Sequence, residues 1–265
     1  FVIHLAAISF VGSPDKSSFY TVNVIGTTIL LDVISELPKA PKKVLLASSA
    51  NVYGNCDISP IDEAVIPNPI NHYAMSKFAM EKMALTYRDR IPLVISRPFN
   101  YTGPGQDIKF VIPKIVDHFL NKNSSISLGN IDVEREFNDV RMVCDLYLKL
   151  LSFGVSGEVY NVCTGDTYSL ETVVGILEDL TGYSITVKSD PEFVRPNELL
   201  RLSGNSAKIN KLLKSQLITL PDFSLEQTLK SMLIDNHPID QTQASRVNNT
   251  DQLNLTSKKL IDQFP

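Results

Sequence analysis

The sequence predicts an α/β protein built on a doubly wound parallel sheet. Three short apolar runs end in small or polar residues, which is typical of buried parallel strands: Val2–Ala6, Val44–Ser48 and Leu93–Arg97. Helical stretches at about Phe19–Leu37 and Tyr73–Arg90 lie between these runs. Because strands and helices alternate, we expect helices on both faces of the sheet and ligands at the carboxyl ends of its strands.

The pattern changes after Gly105, where shorter elements follow one another. The predicted helices are Phe110–Leu120, Val140–Phe153, Leu170–Thr181 and Leu225–Ile234, and the predicted strands are Ile126–Leu128, Glu134–Phe137 and Glu158–Val162. We therefore expect a sheet domain over residues 1–105 and a smaller, mainly substrate-binding α/β lobe over residues 106–235. Residues 236–265 are rich in Asn, Gln, Thr and Asp, which predicts a weakly ordered polar tail.

The composition is that of an ordinary soluble globular protein, with 43% hydrophobic and 20% charged residues in a chain of 265. A net charge of −4 disfavours a nucleic-acid partner. The sequence shows no apolar run near the ~20 residues that span a bilayer, so we expect no membrane association. Its three cysteines and four histidines lack metal-type spacing. We expect no metal, reduced thiols and a cytoplasmic location.

Ser49, Tyr73 and Lys77 form the pattern with the clearest chemistry. Tyr73 and Lys77 stand at i and i+4, on one face of a helix, and Ser49 follows a predicted strand. An ammonium beside a phenol favours the phenolate, so we expect Lys77 to lower the pKa of Tyr73. Serine supplies a hydrogen bond to a substrate oxygen. The three residues suit proton transfer at an alcohol or ketone while a hydride moves on the carbon.

Five motifs in order resemble the extended short-chain dehydrogenase/reductase family of nucleotide-sugar epimerases, dehydratases and reductases. They are His4-Leu-Ala-Ala7, Asn23-Val-Ile-Gly-Thr27, Ser48-Ser-Ala-Asn-Val-Tyr-Gly54, Pro69-x-x-x-Tyr73-x-x-Ser76-Lys77 and Arg97-Pro-Phe-Asn-Tyr-Thr-Gly-Pro104. The resemblance runs from residue 1 to about residue 235 and implies a Rossmann-type sheet. The last motif, with Phe110-Val-Ile-Pro-Lys114 after it, is most similar to GDP-4-keto-6-deoxy-mannose reductases.

The family's opening strand, Gly-x-x-Gly-x-x-Gly turn and helix have no counterpart in this sequence. Phe1–Ala6 resembles the fourth strand, so we expect the first strands of the sheet, roughly 50–70 residues, to be absent from the front. Parallel sheets are buried on both faces, and the missing turn holds the dinucleotide pyrophosphate. We expect the 265-residue chain by itself to be poorly soluble and to bind no dinucleotide measurably.

The resemblance implies that the cofactor is NADP or NAD. The implied cofactor contacts are Leu5, Ala6, Ala7, Asn23, Ser48, Tyr73, Lys77, Pro98 and Phe99. Among these, Asn23 matches the family's asparagine that bonds backbone near the catalytic strand and orders the site, and Lys77 holds the ribose. The choice between NAD and NADP stays open, because the selecting residue belongs to the missing segment.

The implied substrate is a nucleotide sugar, most similar to the GDP-linked kind. Its implied contacts are Ser49, Asn51, Asn100, Lys114, Arg135, Arg195 and Glu198. A guanidinium fork suits phosphate, and a carboxylate can accept bonds from ribose hydroxyls, so Arg135, Arg195 and Glu198 fit a nucleotide. For Arg141 we expect a structural ion pair with Asp139 or Glu136 instead.

The residues after Ser49 narrow the reaction. Sugar 4,6-dehydratases carry acidic residues there to eliminate water, whereas this chain has Ala50 and Asn51, which exchange no proton. Cys56 is misplaced for a synthase that epimerises C3 and C5. Reduction of a ketone at C4 of a GDP-4-keto-6-deoxyhexose and epimerisation at C4 both remain open, as does a non-catalytic nucleotide-binding remnant. Family members usually dimerise through the helix of Tyr73 and the helix before it, so the resemblance implies a homodimer.

Overall fold

The computed structural model describes residues 1–190, 201–219 and 223–234. Its strands are β1 (Val2–His4), β2 (Val44–Ala47), β3 (Leu93–Pro98), β4 (Tyr101–Thr102), β5 (Ser125–Leu128), β6 (Glu134–Arg135), β7 (Asn138–Asp139), β8 (Val159–Val162), β9 (Thr186–Ser189) and β10 (Arg201–Leu202). Its α-helices are α1 (Ser17–Tyr20), α2 (Thr27–Glu36), α3 (His72–Ala84), α4 (Val111–Leu120), α5 (Val140–Phe153), α6 (Leu170–Thr181), α7 (Ala207–Ser215) and α8 (Leu225–Ile234). A π-helical segment (Thr21–Gly26) joins α1 to α2.

A four-stranded parallel sheet in the order β1-β2-β3-β8 forms the centre of the described chain. Successive side chains of a strand point to opposite faces of the sheet, so alternate residues belong to two different hydrophobic cores. Leu46 and Ile95 pack with α2 and α3, whereas Leu45 and Val94 pack with α5 and α7. Helices thus cover both faces, and the predicted doubly wound parallel α/β fold is confirmed.

A third core lies in the second half of the chain. It is formed by apolar residues of α4, α6, α8 and β5, among them Ile115, Val173 and Leu229. Between α5 and α6 the chain returns to the central sheet as β8, whose register pairs Ile95 with Val159. The second half therefore supplies both a separate lobe and the fourth strand of the sheet.

The main predicted elements lie within a few residues of their expected bounds. The short strands β4, β9 and β10 were not predicted, and there are three further differences. The predicted strand Glu134–Phe137 is divided into β6 and β7, because Glu136 is drawn into hydrogen bonds with other segments. The predicted helix Phe19–Leu37 is interrupted by the π-helical turns around Asn23. Helix α7 was not predicted, although Ile209 and Leu213 have helical spacing and are buried. The predicted tail, residues 236–265, lies outside the described residues.

Helix α3 is fixed to the sheet by a buried ion pair. Arg97 of β3 donates from Nε to Oε1 of Glu81 at 2.9 Å and from Nη2 to Oε2 at 2.6 Å. The two side chains are only 5% and 2% exposed. The guanidinium also lies over the ring of Tyr53, 4.9 Å from its centroid. A bidentate, stacked arginine of this kind fixes both the distance and the rotation of α3 relative to the sheet.

The continuous helical stretch Ser17–Glu36 is long and apolar enough to cross a membrane by length and composition alone, with a mean hydropathy of 1.3. This differs from the expectation that the chain has no such run. Asn23 and Thr27 interrupt the stretch and are buried against the rest of the protein. Val22, Ile25, Ile29 and Val33, by contrast, are exposed along one side of it.

We predict that Glu81→Ala will lower the free energy of unfolding by about 3–5 kcal/mol, because it leaves the buried Arg97 guanidinium without its counter-charge. Urea denaturation measures the change. Lys149→Ala is the control, since it breaks an ion pair with Asp145 that is long (3.8 Å) and partly exposed; its cost should stay below about 1 kcal/mol. Equal losses in the two variants would contradict the role given to the buried pair.

Candidate active site

The Ser-Tyr-Lys residues lie at the carboxyl end of the central strands. Ser49 follows β2 and caps a short 3₁₀ helix (Ala50–Tyr53), where its hydroxyl accepts from the backbone N–H of Asn51. Tyr73 and Lys77 lie one turn apart on α3, which begins where the side chain of Asn71 accepts from the N–H of Ala74. An asparagine cap fixes the first helical turn, which carries Tyr73.

The Ser49 hydroxyl lies close enough to the Tyr73 phenol to act on its pKa, which it lowers. Asn51 donates to Oγ of Ser49 from its backbone N–H at 3.2 Å and from its side-chain amide at 3.1 Å. The serine oxygen is therefore held by two donors of one residue. Asn51, which we expect to contact substrate, thus also fixes the position of Ser49.

The expectation that Lys77 lowers the pKa of Tyr73 is wrong for this structure. Burial raises the pKa of the Tyr73 phenol to about 12, and the Ser49 hydroxyl opposes the rise only in part. Lys77 is not among the groups that lower this pKa; its ammonium donates to the carbonyl oxygen of Ala47 at 2.7 Å. Tyr73 is therefore a protonated phenol at neutral pH, the form that can donate a proton.

Burial acts in the opposite direction on Lys77, where it lowers the pKa to about 8, and nearby Glu81 opposes the change. An ammonium has three donors, and the bond to Ala47 uses one of them. The remaining N–H groups can bind hydroxyls of a ligand. Lys77 is only 5% exposed, so its amine would already be held in position when such a ligand binds.

Asn23 connects the loop after β1 to the catalytic helix. Its amide accepts from the N–H of Ile8 at 2.8 Å and donates to the carbonyl of Ile8 at 3.1 Å. It also donates to Oγ of Ser76, which in turn donates to the carbonyl of Tyr73. These bonds occupy the side chain, so Asn23 orders the site rather than contacting a cofactor directly. The π-helical segment places it there, as such segments often do at functional sites.

The predicted cofactor-binding residues after β1 and at the end of β3 include both exposed and buried apolar residues. Leu5 and Ala6 are exposed after β1, and Ala7 is half-buried. Pro98 and Phe99 end β3 and are buried; the Phe99 ring stacks on Tyr53, so only its backbone can contact a ligand.

Ser48 Oγ is buried and has no hydrogen-bond partner among the described residues. A buried hydroxyl without a partner is costly, so this group has the capacity to bind a polar ligand atom. The exposed apolar residues Leu5 and Ala6 and the buried Ser48 hydroxyl together fit a dinucleotide.

The predicted substrate residues lie on several elements. Asn100 is exposed directly after β3, and its backbone carbonyl accepts two bonds from Asn138. Lys114 of α4 donates to the carbonyl of Ser127 at 2.9 Å. Arg135 of β6 is half-buried and donates to the carbonyl of Glu134 at 2.8 Å. The predicted contacts Arg195 and Glu198 lie outside the described residues.

Arg141 forms its expected ion pair with Asp139, at 2.6 Å. Sequence reasoning missed the roles of Asn138 and Ser76, because each depends on a hydrogen bond to a residue distant in sequence: Asn138 donates to the carbonyl of Asn100, and Ser76 accepts from Asn23. A surface cavity of about 490 Å³ lies apart from this site and is lined by Asp62, Glu63, Asn205 and Lys208 among others. None of the predicted site residues lines this cavity. We therefore locate the candidate site by the chemistry of its side chains and not by cavity volume.

Comparison with known proteins agrees with this site. The chain matches the family model described as GDP-mannose 4,6 dehydratase over residues 1–232. It is 36% identical to the GDP-6-deoxy-D-talose 4-dehydrogenase of Aggregatibacter actinomycetemcomitans over 236 residues, 89% of this chain and 80% of that protein. It is 32% identical to the GDP-6-deoxy-D-mannose reductase of Pseudomonas aeruginosa over 245 residues, 88% of this chain and 79% of that protein.

Two solved structures share the fold. RMD from Pseudomonas aeruginosa complexed with NADPH has a TM-score of 0.81 and 32% identity, and the match covers 88% of this chain and 80% of that one. A protein from Burkholderia cenocepacia J2315 has a TM-score of 0.82 and 46% identity over 88% of this chain and 74% of its own. The chain therefore belongs to the GDP-mannose 4,6-dehydratase family, and the predicted resemblance to extended short-chain dehydrogenase/reductases is confirmed.

In a full-length form that carries the family's glycine-rich turn, we predict that Tyr73→Phe will lower kcat by at least ~100-fold, the usual effect of losing a general acid. Dissociation constants for cofactor and substrate should change little, because the ring remains. Tyr101→Phe is the matched control, since it removes another phenol whose charge is coupled to Tyr73. Steady-state kinetics with both variants is the measurement. Near-normal turnover of Tyr73→Phe would show that the proton comes from another group.

Proposed function

We propose that this protein is an NAD(P)-dependent nucleotide-sugar oxidoreductase that reduces the C4 ketone of a GDP-4-keto-6-deoxyhexose. The observation that carries the proposal is that buried Ser49, which follows β2, lies close enough to buried Tyr73 of α3 to act on its phenol, with Lys77 one turn further along α3. Ala50 and Asn51 follow the serine and supply no acid or base for elimination of water. Chemistry at C4 alone is what these residues support.

The proton-transfer step follows from the pKa values. Because burial raises the pKa of Tyr73 to about 12, the phenol carries its proton throughout the neutral range and can give it to the C4 oxygen. Ser49 polarises the same oxygen while Asn51 holds the serine in place. When bound, a nicotinamide cofactor would supply the hydride that C4 receives. Reduction consumes one hydride and one proton and turns the ketone into an alcohol.

Lys77 has a second task in this scheme. Its ammonium, held on the Ala47 carbonyl, would bind ribose hydroxyls of the dinucleotide. Because burial lowers the pKa of Lys77 only to about 8, the amine is mostly protonated at neutral pH. Leu5, Ala6 and the orphaned hydroxyl of Ser48 would line the cofactor.

The substrate lobe, within residues 106–235, would bind the nucleotide sugar. Arg135 and Lys114 supply positive charge, and Asn100 supplies an exposed amide at the carboxyl end of β3. These groups match a diphosphate, which favours charge-assisted and bidentate bonds. Arg195 and Glu198 complete the proposed nucleotide contacts. We place the reaction in the cytoplasm.

An exposed apolar stripe supports a homodimer. Val22, Ile25, Ile29 and Val33 follow one side of the helix Ser17–Glu36, with 36%, 53%, 59% and 55% of each residue exposed. Met75 of α3, 43% exposed, belongs to the neighbouring helix. A stripe of this kind marks a protein interface. Two copies pairing through these helices would bury it and leave each active site on its own chain.

We predict that the enzyme will form no 4-keto-6-deoxy product from GDP-mannose and NAD(P)⁺, because no group beside Ser49 can eliminate water. The same preparation should consume a GDP-4-keto-6-deoxyhexose in the presence of NAD(P)H. Product analysis by nuclear magnetic resonance measures both reactions. Release of a 4-keto-6-deoxy sugar from GDP-mannose would refute the reductase, and interconversion of C4 epimers without net cofactor use would favour an epimerase.

We predict that the protein sediments as a dimer and that the double change Ile29→Glu and Val33→Glu yields a monomer, because charges would then face each other across the apolar contact. Ile66→Glu is the control: it alters a residue that is 84% exposed and outside the stripe. Analytical ultracentrifugation distinguishes the species. A monomeric wild-type protein, or a dimer that survives both charges, would exclude this interface.

A further inference from the structure

Glu136 is a buried carboxylate between β6 and β7 that is 1% exposed. All the hydrogen bonds that the described residues give it come from N–H groups, none from a lysine or arginine side chain. Oε1 accepts from the N–H of Gly204 at 2.6 Å. Oε2 accepts from Nδ2 of Asn138 at 2.9 Å and from the N–H groups of Thr164 and Gly165 at 3.1 and 3.3 Å. Burying a carboxylate is costly, and four donors offset that cost.

The donors belong to three separate segments of the chain. Thr164 and Gly165 follow β8 of the central sheet, Gly204 follows β10, and Asn138 begins β7. Burial raises the pKa of the Glu136 carboxyl and these donors oppose the rise. The Glu136 side chain therefore links the end of the central sheet to β7 and β10, two strands of the substrate lobe.

Gly204 shows how closely these segments approach. A Cβ at this position would lie 2.5 Å from the Phe99 ring and 2.7 Å from Sγ of Cys163. Only a residue without a side chain lets the backbone reach Glu136 there. Ser203, directly before it, donates to the carbonyl of Gly165 at 2.8 Å, which adds a second link between the same two segments.

The segments that Glu136 links also position two of the proposed nucleotide contacts, Arg135 and Asn100. Arg135 precedes Glu136 directly, and its strand pairs with β10 in the register Leu202 to Arg135. Asn138, held by Glu136, donates from both its backbone N–H (2.9 Å) and its side chain (3.1 Å) to the carbonyl of Asn100. Arg135 and Asn100 thus take their positions from the same carboxylate, although it contacts no ligand itself.

We propose that Glu136 is a positioning residue for nucleotide-sugar binding, which sets the placement of Arg135 and Asn100 and takes no part in proton transfer. The inference rests on the proposed function, because it assumes that these two residues bind the nucleotide diphosphate. Tyr73 and Lys77 are fixed independently through α3, so the effect should fall on substrate affinity and not on the chemical step.

The variant that tests this is Glu136→Gln, which keeps the size of the side chain but replaces one acceptor oxygen with an NH₂ group. Either orientation sets that group against a backbone N–H that now has no acceptor. Glu63→Gln is the matched control. Glu63 also accepts from a buried backbone N–H, that of Asn161 at 2.7 Å, but among the described residues it makes no hydrogen bond to Arg135, Asn138 or Asn100.

Calorimetry with GDP and steady-state kinetics with the GDP-4-keto-6-deoxyhexose are the measurements. Glu136→Gln should weaken GDP binding and raise KM at least about tenfold, the effect of losing a charge-assisted hydrogen bond. Its kcat and its dissociation constant for NAD(P)H should stay within about threefold of the wild type. Glu63→Gln should lower Tm without changing either KM or GDP affinity.

Unchanged GDP affinity in Glu136→Gln would overturn the inference while leaving the proposed function intact. A fall in kcat together with weaker NAD(P)H binding would also overturn it, because the carboxylate would then support the whole fold. A wild-type protein that binds no GDP, but binds another nucleoside diphosphate or none, would refute the proposed GDP-sugar function and the inference that rests on it.

Discussion

The buried ion pair between Arg97 and Glu81 is the constraint on which the catalytic geometry depends. It joins β3 to α3 at the turn that follows Lys77, and the two side chains are almost fully enclosed. An enclosed bidentate pair tolerates little rotation. Helix α3 therefore presents Tyr73 and Lys77 to the carboxyl end of the sheet, where β2 delivers Ser49. Asn23 also holds α3 in place, because its side chain donates to Oγ of Ser76.

Burial also sets the protonation states at the site. The same dry environment raises the pKa of the Tyr73 phenol to about 12 and lowers the pKa of the Lys77 amine to about 8. Desolvation penalises the charged form of each group, so the shifts have opposite signs. A neutral phenol is a competent acid for a ketone, whereas oxidation of an alcohol would need the phenolate.

Much of this could be predicted from the sequence, because the sheet and the Ser-Tyr-Lys set depend on local periodicity and on motifs. Positions set by contacts distant in sequence could not. Asn138, for example, donates to the carbonyl of Asn100, 38 residues earlier in the chain. The predicted strand around Glu136 was too long, since nothing local shows that its carboxylate collects donors from three segments. The pKa of Tyr73 was misjudged because the sequence gives the spacing of Lys77 but not the direction of its amine towards Ala47.

The most direct test of the central claim follows the hydride itself. A GDP-4-keto-6-deoxyhexose would be incubated with NAD(P)H that carries deuterium at the transferable position, and the product analysed by nuclear magnetic resonance and mass spectrometry. Reduction at C4 predicts one deuterium at C4 and one equivalent of oxidised cofactor for each sugar converted. Conversion of the sugar without deuterium at C4, or with no net oxidation of the cofactor, would contradict a C4 reductase.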